Sequence, residues 1–144
     1  MNDSSRSHFA AKHPPGTVVA PNLRAALESR LEKGSITCSV AHDIARALAA
    51  ESAVVGQAID LLEGRIQKCQ LGLFGYSPDK KIVTTDQSVA PDLCEAILIS
   101  AQNGRITCAD AWAVAERLSV PRLSIGVACE SLGIKIVHCQ LGAF

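Results

Sequence analysis

Cysteine is the residue type best suited to chemistry in this chain, with six among 144 residues. Four of them recur at one spacing: Cys38 precedes Cys69 by the same interval at which Cys108 precedes Cys139. If the segments carrying each pair lie side by side, their thiols are placed for redox chemistry or for holding a soft metal. Two thiols without a histidine at ligand spacing would leave a metal half-coordinated. The competing use of each Cys is as a small apolar core residue. Cys94 and Cys129 have no such counterparts and read as packing. Cys-x-x-Cys is absent, and MNDSSRSHFAAKHPPG has no apolar core of the kind a secretory signal needs. Reduced thiols in a cytoplasmic protein are therefore expected.

The remaining candidates for catalysis are sparse. His8 and His13 fall in a polar leading segment, and His42 and His138 stand at unrelated positions without an obvious carboxylate partner. A Gly-rich phosphate loop, a nucleophile elbow and a recognisable Cys-His spacing are all missing. The chain is expected not to be an enzyme and to carry no cofactor.

Charge narrows the binding classes. Lys+Arg and Asp+Glu both total 14, and the pI is about 6.9. That balance argues against a nucleic-acid coat protein and against a polybasic membrane binder. The aromatic residues are Phe9, Phe74, Tyr76, Trp112 and Phe144, too few to build a stacking platform for single strands. No apolar run approaches the ~20 residues that span a bilayer, so no membrane partner is expected.

The elements that must position these residues come in two copies. Pro21–Phe74 aligns with Pro91–Phe144 at a constant offset of 70, without a gap, with 19 of 54 positions identical. Ile36-Thr37-Cys38 recurs as Ile106-Thr107-Cys108, and Cys69-Gln70-Leu71-Gly72 as Cys139-Gln140-Leu141-Gly142. An internal duplication is the simplest origin. Three regions follow: a disordered tail over 1–20, a first domain over 21–87 and a second over 88–144.

Within each copy the pattern predicts a helix (23–31 or 93–101) stopped at Gly34 or Gly104. A short β-branched strand follows, then a helix from about 39 to 49 or 109 to 118. Thr107 and Asp110 form a capping-box-like pair at the start of the latter. After a break at Glu51-Ser52 or Ser119-Val120-Pro121, a third helix is predicted over 53–63 or 122–132. An extended strand (66–73 or 135–143) closes each copy, and in the first a turn at 77–80 leads to a strand at 81–85. The second copy ends at Phe144, the counterpart of Phe74, so the strand Lys135–Ala143 is expected to keep an open edge on which a homodimer or partner could form.

This order of helix, strand, helix, turn, helix and strand resembles the winged helix, a helix-turn-helix with a small sheet. The fold expected is mainly α with small β-sheets, arranged as two tandem winged-helix-like domains. The Ile-Thr-Cys and Cys-Gln-Leu-Gly strings also resemble small bacterial winged-helix modules that accompany molybdenum-cofactor or formate-metabolism proteins.

The resemblance implies a transcriptional regulator that binds double-stranded DNA, with the third helix in the major groove. Lys68, Lys80, Lys81, Arg122 and Lys135 are then the phosphate contacts and Gln57 the base reader. Charge points the other way: the first copy's third helix has no Lys or Arg and carries Asp60 and Glu63. The alternative is a protein adaptor, for which the small residues Gly56, Ala58, Gly126 and Ala128 permit close packing. A metal or redox sensor built on Cys38, Cys69, Cys108 and Cys139 is the third reading.

Overall fold

The computed structural model describes residues 9–77, 81–83 and 89–144. The described chain is mainly helical with small two-stranded sheets, and it divides into two compact units, Met1–Gln67 and Lys68–Phe144. No described helix is long and apolar enough to cross a membrane.

In the first unit, a 3-10 turn (Phe9–Lys12) precedes α1 (Pro21–Arg30), β1 (Ser35–Thr37), α2 (Cys38–Ala47), α3 (Ser52–Leu61) and β2 (Arg65–Gln67). Pro21 sits in the first turn of α1, where a missing N–H costs nothing. The helix ends at Leu31, and a two-residue turn reverses the chain. Lys33 and Gly34 both take positive φ (53° and 78°), and Glu32 and Ser35 exchange backbone hydrogen bonds of 2.8 and 2.9 Å. Gly34 thus serves the hairpin-type turn that requires two left-handed residues, rather than the helix stop itself. Thr37 ends β1 and caps α2 in one step, its Oγ1 accepting from the Val40 N–H at 3.1 Å. Leu23, Leu27, Ile36, Ala41, Ile44, Val55, Ala58 and Ile59 are buried as the apolar side of this unit.

The second unit repeats the plan: α4 (Pro91–Ser100), β3 (Arg105–Thr107), α5 (Cys108–Leu118), α6 (Arg122–Leu132) and β4 (Lys135–Val137). Asn103 and Gly104 make the same turn at φ 54° and 75°, and Thr107 accepts from the Asp110 N–H at 3.0 Å. The core joins Leu71, Ile97, Ile106, Val114, Ile125, Cys129 and Ile136.

Several expectations change. The paired strands run parallel, Ser35–Thr37 on Arg65–Gln67 and Arg105–Thr107 on Lys135–Val137. The strands expected over 66–73 and 135–143 are each only three residues long. Lys68 (φ 51°) and His138 (φ 54°) leave the extended region, and Gly72 and Gly142 both turn at φ 79°. A compact turn follows instead, closed by Cys69 N–H to Phe74 O (3.1 Å) and Cys139 N–H to Phe144 O (3.0 Å). The long open edge expected on Lys135–Ala143 is therefore reduced to Lys135–Val137. Residues 81–83 are not in a strand, and the rest of the expected turn and strand, 78–80 and 84–85, lies outside the described residues.

The unit boundary also moves. Lys68–Val83, read as the end of the first copy, clusters with the second unit, where Leu71 is fully buried. Leu71 approaches α6 closely at Gly126, where a side chain would collide with the Leu71 backbone carbonyl. Finally, Phe9–Lys12 lies within the span expected to be a disordered tail, yet it forms a turn anchored to α3.

Candidate functional site

Two of the residues expected to face nucleic acid, Lys81 and Arg122, are engaged by protein. The Arg122 guanidinium, at the start of α6, stacks 3.6 Å from the centre of the Trp112 ring, and its Nη1 donates to Gln70 Oε1 at 2.8 Å. That arrangement satisfies the planar cation on its face and its edge together. Lys81 Nζ lies 3.1 Å from Glu130 Oε1, a half-exposed pair. Gln57 is half-buried on α3. Lys68 and Lys135 are exposed in the second unit, and Lys80 lies outside the described residues. The five described candidates thus divide between the units, Gln57 in the first and the four cations in the second.

Lys135 has a neighbour that sequence reasoning did not single out. It stands directly across from Arg105 in the parallel ladder, and both side chains are exposed. Like charges opposite one another form a small cationic edge.

In the first unit, both acids of the expected third helix are engaged by the segment ahead of α1. Asp60 on α3 is buried and receives Lys12 Nζ at 3.1 Å and His13 Nε2 at 2.8 Å. The Glu63 carboxylate, just past α3, accepts from the Phe9 and Ala10 N–H groups at 2.8 and 3.1 Å. Asp60 and Glu63 were legible as unsuited to phosphate, but nothing local tied them to residues more than forty positions earlier.

Three of the four repeated thiols fall in one unit. Cys69, Cys108 and Cys139 belong to the second unit and Cys38 to the first, so the repeated pair Cys38/Cys69 straddles the unit boundary. Burial pushes the Cys69 and Cys108 thiols above their ordinary pKa, and the neighbouring Cys139 adds to both shifts. Gln140 Nε2 donates to Cys108 Sγ at 3.6 Å. Burial also pushes Cys129 up, to about 11. Raised values keep these sulfurs protonated at neutral pH, the poorer state for metal binding and for nucleophilic attack. Among the described residues no group of three or more His, Cys, Asp and Glu is placed to hold a metal ion. His42 is buried, with Nδ1 3.2 Å from Ser52 Oγ.

The second unit has an open groove of about 420 Å³ between the start of α4 and α6. Val89, Ala90, Leu93, Leu123, Val127 and Ala128 give it an apolar lining, with Pro121 and Ser124 completing the wall. Sequence reasoning missed it, although one signal was present. The outward face of α6 carries Leu123, Ser124 and Val127, where a DNA-reading helix would carry cations and amides. Comparison with known proteins finds no matching family model, no matching curated protein and no matching solved structure.

Proposed function

We propose that this chain is a non-enzymatic protein-interaction module: two tandem winged-helix-like domains descended from one duplicated unit, which bind a partner through the α4–α6 groove. The observation carrying the reading is the outward face of α6, which combines an apolar groove with a cation, Arg122, already committed to Trp112 and Gln70. A helix so arranged offers phosphate little and offers an aliphatic side chain a dry seat. The groove fits a partner segment presenting two or three aliphatic residues. Duplication is supported by the shared register: turns at Lys33-Gly34 and Asn103-Gly104, caps at Thr37 and Thr107, and ladders at Ser35–Arg65 and Arg105–Lys135.

DNA binding is the second reading, favoured by the exposed Arg105–Lys135 edge. A random-sequence duplex titrated in about 50 mM salt separates the two. No saturable binding is expected, while an anilinonaphthalene sulfonate probe should fluoresce on the wild-type groove and lose most of that signal in Val127→Glu. Duplex binding that falls steeply with salt and is abolished by Arg105→Ala with Lys135→Ala would overturn the proposal in favour of the second reading.

A further inference from the structure

The segment ahead of α1 returns onto α3 through four polar contacts. The first N–H groups of a helical turn have no partner within it, and Glu63 supplies one to each: Phe9 and Ala10 donate to its two oxygens. One turn earlier on α3, Asp60 receives Lys12 and His13. The path back is set by a tight turn at 14–17, in which Thr17 N–H and Oγ1 donate to the Pro14 carbonyl at 3.2 and 2.6 Å. Gly16 sits at φ 86°, the left-handed third position of a type II turn. Directly after it comes Thr17-Val18-Val19, a β-branched run outside any strand, in which Val18 is 84% exposed. Such a run is a ready template for strand pairing.

From these features we infer that the arm is exchangeable: two copies of the chain dimerise by seating Phe9–His13 of each on α3 of the other. Opening the turn at Gly16 extends the arm, and Thr17–Val19 of the two copies pair antiparallel across the two-fold axis. Exchange preserves all four clasp contacts, so the closed turn and the entropy of association are what oppose it, while strand pairing and burial of Val18 favour it. A short tether holds the arm near its own seat at an effective concentration in the ~mM range, so the closed monomer dominates in dilute solution. Gly16 tunes this balance. A Cβ there would meet nothing within 4 Å, so only the positive φ resists substitution.

Sedimentation equilibrium of the full chain at about 0.1 mM, well under that effective concentration, tests the inference. Wild type should be mainly monomeric. Gly16→Val, which disfavours the closed turn in both chains of a dimer, should raise the dimer association constant about tenfold or more. Adding Asp60→Asn and Glu63→Gln to Gly16→Val should return the protein to monomer, because the seat is lost. An association constant unchanged by Gly16→Val would overturn the inference, and so would a dimer that survives loss of both carboxylates. Far-UV circular dichroism checks that the helices persist in each variant. Gly16→Ala gives the same comparison with a smaller expected rise if Gly16→Val misfolds.

Discussion

The backbone carbonyl of Leu71 rests against the Cα of Gly126, in the space any side chain on that helix position would occupy. The contact holds the turn Cys69–Phe74 against α6, within the unit that begins at Lys68. Because the obstacle is backbone rather than a flexible side-chain end, it cannot yield cheaply. Gly126→Ala should cost roughly 3 kcal/mol, the upper part of the range for overpacking. Gly104→Ala meets open space but holds φ 75°, and should cost only about 1 kcal/mol. Urea unfolding of both variants checks the order; equal losses would mean that the Leu71 approach is not what demands glycine.

Arg122 is a structural cation. Its stack on Trp112 and its bond to Gln70 tie the start of α6 to α5 and to the turn Cys69–Phe74. Arg122→Lys keeps the charge and loses the planar geometry. Stability should fall by about 1 kcal/mol, and emission from the chain's single tryptophan should shift, without any change toward duplex DNA. Unaltered emission would show that the stack is not populated in solution.

How far the sequence carried depended on the kind of signal. Helices were readable to within a few residues, because apolar stripes such as Val40, Ile44, Ala45 and Leu48 repeat at helical spacing. The strands came out too long, because Lys68 and His138 adopt a left-handed backbone without a glycine to announce it. Glu63, the last residue of the helix expected over 53–63, does the same at φ 54°. Parallel pairing of β1 with β2 is a tertiary choice that no local pattern records. At the site, Lys81 and Arg122 looked available because sequence counts cations without showing their partners. The groove was hidden because Val89 and Leu93 come together with Leu123 and Val127 only after folding.

The two threonine caps allow a matched comparison. Thr37 and Thr107 each end a strand and accept from the first turn of the next helix, at 3.1 and 3.0 Å. Thr37→Ala and Thr107→Ala should each cost about 1 kcal/mol, and Ser at either position should recover most of it. The caps lie in different units, so the losses should add in the double variant. Additivity failing by more than about 0.5 kcal/mol in denaturant titrations would count against independent caps.

The buried thiols make stability sensitive to alkali. Cys129 is 1% exposed, and burial raises its pKa from 9.0 to about 11. The folded protein therefore holds this proton more tightly than the unfolded chain does. Its contribution is complete below pH 9 and is lost as pH rises through about 11, an effect on the order of 3 kcal/mol once both states are ionised. Cys69 and Cys108, raised by the same cause, act in the same direction. The slope rather than the absolute stability is diagnostic. Between pH 8.5 and 11, urea midpoints of wild type should fall more steeply than those of Cys129→Ala. That difference must persist after correction for the constant cost of removing the sulfur, which is independent of pH. Parallel alkaline limbs for the two proteins would mean that the Cys129 proton is no harder to remove in the folded state than in the unfolded one.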